Sequence, residues 1–229
     1  KKDAGLKANY SLGDFVELTF IGSRHDDHYG LPGPASKEDL SSRHRRTDTN
    51  RPDDFGESVD DRLIGGVEAD LGRWGDLSIR RGYRFRDDDY VLGYSPLIPK
   101  ADQTNRIDED TKDVHLTYNK RYEVKDLEHH FQCGIDHRQT VYIREELSRN
   151  NRENSDTESL GFFATNDWSV TDDLIVRLGY RYNDYDGRYR TDRRFFFGDV
   201  HRWVNGDIRE RDFSNNAYDL GIVYSLSND

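Results

Sequence analysis

Leu174-Ile175-Val176-Arg177-Leu178-Gly179-Tyr180-Arg181-Tyr182-Asn183 alternates with a period of two. Leu174, Val176, Leu178, Tyr180 and Tyr182 fall on one side, and Ile175, Arg177, Gly179, Arg181 and Asn183 on the other. Successive side chains of a strand point to opposite faces, so this stretch is a strand with one greasy and one wet face. Helical spacing fits it less well, and a helix would be penalised by the internal glycine. The same parity sets Leu77, Ile79, Tyr83 and Phe85 against Ser78, Arg80, Gly82 and Arg84. It also sets Leu220, Ile222, Tyr224 and Leu226 against Asp219, Gly221, Val223 and Ser225.

Working outward, the connections alternate in length. Short ones occur at Leu12-Gly13-Asp14, Arg73-Trp74-Gly75-Asp76, Val124-Lys125-Asp126 and Thr171-Asp172-Asp173, and long polar ones around 25–58, 87–109, 147–157 and 187–214. That order puts every tight turn at one end of an antiparallel up-and-down meander. Long alternating strands, aromatics near their ends, short turns on one side and long loops on the other are the signature of an outer-membrane β-barrel. The predicted strands lie near 4–12, 15–24, 59–72, 76–86, 110–123, 127–144, 158–170, 174–186 and 215–226. Residues 1–229 therefore read as one all-β segment of about nine strands, part of a large transmembrane barrel, with no plug domain. Bacterial single-chain barrels close with an even strand number, and Ser227-Asn228-Asp229 resembles a further tight turn, so the chain is expected to stop in mid-meander.

Composition narrows the classes. Hydrophobic residues make up 33% and charged residues 34% of the chain, with a formal net charge of −11. Such a balance would suggest disorder, but 14 Tyr, 11 Phe and 3 Trp demand a structure that holds aromatics beside charge. Uncharged runs such as Val91 to Pro99 fall far short of the roughly 20 apolar residues of a membrane helix, so a helical membrane protein is excluded. The single Cys133 forbids an intrachain disulfide and reads as packing on the apolar face. An acidic chain lacks the basic face that a duplex nucleic acid needs. Met is absent and the chain opens at Lys1, which reads as a processed chain or a fragment, so the want of a signal sequence at Lys1 is silent on export.

The segment Gly161-Phe162-Phe163-Ala164-Thr165-Asn166-Asp167-Trp168-Ser169-Val170-Thr171-Asp172-Asp173-Leu174 runs a G-x-F-A-x-x-x-W strand into a T-D-x-L turn. Gly179-Tyr180-Arg181-Tyr182-Asn183-Asp184-Tyr185 supplies the G-x-R-Y-x-x-Y end of the next strand. With His25-Asp26-Asp27-His28-Tyr29-Gly30-Leu31-Pro32-Gly33 and Leu220-Gly221-Ile222-Val223-Tyr224-Ser225-Leu226, these segments resemble the barrel of a TonB-dependent outer-membrane receptor. The resemblance implies a barrel of about 22 strands filled by an N-terminal plug. It implies binding of an iron chelate, cobalamin, haem or similar scarce nutrient outside, in the outer membrane of a Gram-negative bacterium. The TonB complex would then drive release inward. A plug, a TonB-contacting box and a terminal strand with an aromatic end are lacking, so the energy-coupling residues are not carried over.

Candidate site residues follow from charge. The wet faces hold Glu17, Glu68, Asp70, Arg80, Arg84, Asp136, Arg138, Arg177 and Arg181, which read first as a solvated lumen wall. Arg43-His44-Arg45-Arg46 is the densest basic patch, and Arg193-Arg194 with His201-Arg202-Trp203 forms a second. Arginine forks suit carboxylates and phosphates, and Trp stacks on a flat chelate, so these loop residues are the candidate ligand-binding set for an anionic ferric chelate. Salt bridges among loops, or contact with anionic lipopolysaccharide, remain open alternatives. His25 and His28 flank Asp26 and Asp27, but adjacent residues on an extended segment point to alternate faces and do not converge on one ion. His129-His130 beside a tight turn is a lesser candidate for the same role.

No Ser or Cys has an identifiable base, and there is no G-x-S-x-G elbow or glycine-rich phosphate loop. Catalytic residues, metal and cofactor are therefore not expected. The reading is a transport receptor segment whose partners are a metal chelate or similar nutrient, outer-membrane lipid and, through regions outside this chain, the TonB complex. A soluble or structural β-barrel binding protein and a passive porin are the alternatives. One inconsistency stands: parity places Arg81 and Lys120 on the greasy faces, each about five residues from a short turn and so about 12 Å above it, near mid-bilayer. A bulge at Gly82 that rotates them inward is the favoured resolution. If both project outward at mid-height from a regular ladder, the lipid-facing reading fails.

Overall fold

The computed structural model describes residues 1–31, 53–98, 102–125, 127–197 and 200–225. They form one antiparallel sheet: β1 (Lys2–Leu12), β2 (Val16–Gly30), β3 (Phe55–Asp70), β4 (Asp76–Val91), β5 (Asn105–Val124), β6 (Leu127–Glu146), β7 (Asn151–Thr171), β8 (Leu174–Phe197), β9 (Val200–Val204) and β10 (Ile208–Tyr224). Each strand from β1 to β8 pairs with its chain neighbour, and β10 follows β8 in the sheet while β9 pairs β8 further along. All nine predicted strands are present. Short 3-10 turns at Gly72–Trp74 and Leu147–Arg149 join β3 to β4 and β6 to β7. Among the described residues no helix is long and apolar enough to cross a membrane.

Directly opposed residues share a face, so the register identifies the two surfaces. The row Glu17, Glu68, Ser78, Thr117 and the row Arg62, Arg84, Thr111, Thr140 lie on one face, with Asp136, Arg138, Arg177 and Arg181. All nine wet-face charges named from the sequence fall on this face. The other face carries the alternate side chains of 77–85 of β4, 114–124 of β5, 127–135 of β6, 160–168 of β7 and 174–182 of β8, apolar or aromatic except at Arg81, Lys120, His129 and Asn166. Nine strand residues at a tilt of about 45° span about 22 Å, the height of a bilayer's apolar layer. Taken from β4 to β8 the belt descends toward the tight turns: Tyr182, at its upper edge on β8, is opposed strand by strand to Phe162, Ile135, Leu116 and Ile79, below the upper edge at Phe85 on β4. A membrane plane cutting tilted strands demands that descent.

The strands run further than the alternation predicted. The segments expected as loops at 147–157 and 187–214 are largely strand, held in β7, β8, β9 and β10. Beyond the belt both faces meet water, so the greasy and wet parity is no longer required and the backbone ladder alone keeps the pairing. Outward positions there become charged, as at Asp87, Asp89, Asp108, Asp156 and Glu158. β9 and β10 together form one return strand along β8, interrupted at 205–207, because Val204 opposes Arg193 while Ile208 opposes Arg190.

The expected bulge at Gly82 is absent. Gly65, Arg81 and Val114 are directly opposed, and so are Lys120 and Phe131, in unbroken ladders. The register shift between Ser169 and Thr171 lies elsewhere. Lys120 lies within the 114–124 run of β5, but its charge meets the neighbouring turn. The β3–β4 turn lies against β5 one residue beyond the Asp76–Asn119 pair, and the Lys120 ammonium sits 5.6 Å from the centre of the Trp74 ring in that turn. Arg81 alone remains near the middle of the belt, beside the open space at Gly65, with a stem long enough to carry its head toward polar surroundings.

β1 and β10 are the two ends of the strand order and do not pair with each other. Open edges leave backbone groups unpaired, at a cost of several kcal/mol each inside hydrocarbon. The isolated 229-residue chain is therefore expected to give no stable single-channel conductance in planar bilayers. Steady unit conductance from it would contradict the edge assignment.

Candidate functional site

The wet face ends, on the loop side, in an open depression of about 700 Å³ bordered by Arg144, Arg149, Arg193, Arg194, Glu146 and Glu153. Arg144 is ion-paired with Glu146 and donates to the Tyr90 hydroxyl at 3.4 Å, and Arg149 reaches Glu146 at 3.4 Å. Arg193 is exposed at the rim, and Arg202 opposes Phe195 on the same side. Neither has a carboxylate partner among the described residues. Four guanidiniums against two carboxylates make the mouth basic. A second depression of about 570 Å³ at the turn end is the reverse, bordered by Asp14, Glu17, Glu68, Asp70 and Asp76. The wet face thus runs from an arginine-rich mouth to an acidic base.

The mouth is held in place by ions on the outward face. Asp89, Arg106, Glu145, Arg152 and Asp192 are opposed in one row across β4 to β8, so their charges alternate. Arg106 donates to Asp89 at 3.0 Å, and Arg152 binds Glu145 at 3.5 Å and Asp192 at 2.9 Å. Asp192 is fully buried and also accepts from Asn154 at 2.9 Å, Arg190 at 3.2 Å and the Gly206 N–H at 3.1 Å. It lies beyond the part of β8 that crosses the belt. Burial there would raise its pKa, but the hydrogen bonds from Arg152, Gly206 and Arg190 hold it below the usual carboxylate range. A Cβ on Gly206 would lie 2.0 Å from the Thr191 carbonyl, so only glycine lets the return strand approach this node. The neighbouring loop is tied down by Asp54, which accepts the N–H groups of Gly93 and Tyr94 at 2.8 Å.

Of the residues singled out from the sequence, Arg43, His44, Arg45 and Arg46 lie outside the described residues. The second cluster is brought together by pairing of β8 with β9 and then divided by it. Arg193 borders the depression and Arg202 lies on the same face opposite Phe195, whereas Arg194 and Trp203 oppose each other on the alternate side. Arg194 borders the depression from there and binds Asp102 at 3.7 Å. The Trp203 ring is covered on one side by the Arg152 guanidinium at 4.9 Å. His201 pairs through its backbone with Phe196. Arg144, Arg149 and Asp192 were missed, although 144–153 is as dense in arginine as the cluster chosen.

His25 pairs with Asp3 and His28 with Glu57, and the ladder sends His25 and Asp27 to the face opposite Asp26 and His28. His129 stacks on Tyr122 with ring centres 5.0 Å apart and touches Trp168 edge-on. Among the described residues no group of three or more potential metal ligands converges.

A meander with a bilayer-high apolar belt, a charged inner wall and a basic mouth is the wall of a large transmembrane β-barrel. The family described as TonB dependent receptor-like, beta-barrel, matches residues 4–229, and the chain belongs to it. Its fold is similar to the ferric citrate transporter FecA in its unliganded form, with a TM-score of 0.79 and 14% identity over 99% of this chain and 34% of that one. It is similar also to the open form of the ferric-catecholate import receptor Fiu from E. coli K12, with a TM-score of 0.67, 12% identity, and 98% and 50% of the two chains covered. The ferric yersiniabactin uptake receptor FyuA from Yersinia pestis gives a TM-score of 0.68 at 11% identity, over 99% and 35%. At such identities the likeness concerns the fold alone, and the chain spans between about a third and half the length of these structures. No curated protein matches in sequence.

Proposed function

We propose that residues 1–229 form one stretch of barrel wall in an outer-membrane receptor of a Gram-negative bacterium that captures an anionic metal chelate at its external mouth. The observation that carries this is the arginine-bordered depression on the wet face, with Arg193 on its rim and Arg202 on the same face opposite Phe195. Guanidinium forks match the carboxylate or phenolate oxygens of such a chelate. The acidic turn end of the same wall disfavours an anion there, which keeps the guest at the mouth until the barrel's filling domain moves. Release inward would be driven by the TonB complex through regions outside this chain, so the role is transport and not catalysis. FecA, Fiu and FyuA, named for ferric chelates, support this choice of guest.

In the full-length receptor, Arg193→Ala with Arg202→Ala is expected to weaken chelate binding by about 1.5 kcal/mol or more per engaged contact. Titration of the intact receptor with ferric citrate and with a ferric catecholate measures it, and the exposed share of the loss shrinks at high salt. Arg43→Ala, Arg45→Ala and Arg46→Ala together test the other cluster in the same assay. Unchanged affinity in both sets refutes an arginine-based capture site.

A further inference from the structure

The outward face is not symmetric between its two rims. Above the belt it is crowded with carboxylates such as Asp87, Asp108 and Asp110. At the turn-side rim the outward strand positions carry no carboxylate among the described residues, and the charge there is positive. The positive charge is concentrated on one indole. The Arg73 guanidinium lies 5.0 Å from the centre of the Trp74 ring and the Lys120 ammonium 5.6 Å from it. The acids of this turn are directed elsewhere: Asp70 accepts the Gly72 N–H at 2.6 Å, and Asp70 and Asp76 belong to the wet face. Neither Arg73 nor Lys120 has a carboxylate partner among the described residues.

The arrangement is built. The Tyr118 hydroxyl donates to the Trp74 carbonyl, and Gly75 brings the turn against the Asn119 carbonyl, where a Cβ would be 2.2 Å away. Trp74 itself is 59% exposed and faces outward beside Leu77 and Tyr118. Two cations on one exposed indole, at the level where the apolar positions of β4 end at Leu77, repel each other until an anion joins them. At that level of a bilayer the anion is a phospholipid phosphate, and indole rings favour the same depth.

We infer that Arg73, Trp74 and Lys120 form a binding site for the phosphodiester head group of an anionic phospholipid, phosphatidylglycerol or its dimer cardiolipin, in the leaflet on the turn side. The site rests on the barrel-wall reading above, since only in that setting does this face meet lipid. Lys120 then sits on the greasy face because its charge is used at the interface.

The test uses the full-length receptor reconstituted in vesicles of phosphatidylethanolamine with phosphatidylglycerol, then extracted for native mass spectrometry of retained lipid. Wild type is expected to retain phosphatidylglycerol in preference to phosphatidylethanolamine. Lys120→Gln and Arg73→Gln are each expected to reduce that preference about fivefold, and the pair to abolish it. Heat-dependent gel migration reports closure of the barrel in every sample. A closed, inserted barrel that retains both lipids alike overturns the lipid site alone. Failure of the wild type to insert as a heat-modifiable barrel overturns the barrel-wall reading and this site with it. Retention of lipopolysaccharide instead, lost in the same variants, assigns the residues to the other leaflet and overturns the inference.

Discussion

Gly75→Ala is expected to unlatch the β3–β4 turn and destabilise the barrel wall by about 3 kcal/mol. Gly75 has φ 93° and ψ −161°, a region that side chains with a Cβ essentially do not enter. The new methyl would also meet the Asn119 carbonyl at 2.2 Å and Lys120 Cβ at 3.1 Å. The turn therefore moves away from β5, which separates Trp74 from Lys120. Leu71 donates to the Gly75 carbonyl at 2.8 Å and Gly75 to the Gly72 carbonyl at 3.0 Å, so hydrogen exchange at these two amides is the local reporter. Both should exchange faster, and urea unfolding from vesicles should shift to lower concentration. Gly72→Ala is the control: its φ is +60° but nothing lies within 4 Å, so only the left-handed penalty of about 1–2 kcal/mol applies. Equal behaviour of the two variants would show that the turn is not seated on β5.

The second large effect is expected at the mouth. Asp192→Ala removes the acceptor of Arg152, Asn154, Arg190 and the Gly206 amide at once. Asp192 is completely buried, while the Arg152 and Arg190 side chains keep 23% and 31% of their exposure. Leaving such cations without their carboxylate costs 3–5 kcal/mol when they are fully buried, so their partial hydration points to about 3 kcal/mol. The cost falls on the return strand, because the node ties β7, β8 and the 205–207 interruption together. The Gly206 amide should lose protection, and limited proteolysis should cut near 205–207 without opening the belt. Asp192→Leu with Arg152→Met, which removes both charges, is expected to recover part of the loss. A mouth as resistant to protease in Asp192→Ala as in wild type would mean that the ion row is incidental to the return strand.

The belt was legible in the sequence because a membrane barrel imposes one rule on every strand: apolar to lipid, polar to lumen. Leu174 to Asn183 obeys it except at Ile175 and Leu77 to Phe85 except at Arg81, and the four short turns gave the meander its direction. Beyond the belt the rule lapses, since water bathes both faces. There 151–157 and 187–197 read as polar loop although they are ladder, and Val200 to Val204 is a strand only because β8 extends beside it. Arg193 and Arg194 are neighbours in the chain, but a strand sends them to opposite faces, and Trp203 is covered on one side by Arg152, some fifty positions away. Lys120 looked misplaced at mid-bilayer because its height was counted from its own turn. Only the register shows that the β3–β4 turn comes alongside it, since neighbouring hairpins of a tilted sheet end at different levels. Local alternation thus determined the strands, their faces and the chain's family resemblance. Stagger between strands, a property of no single segment, decided which charges meet at the mouth and at the rim.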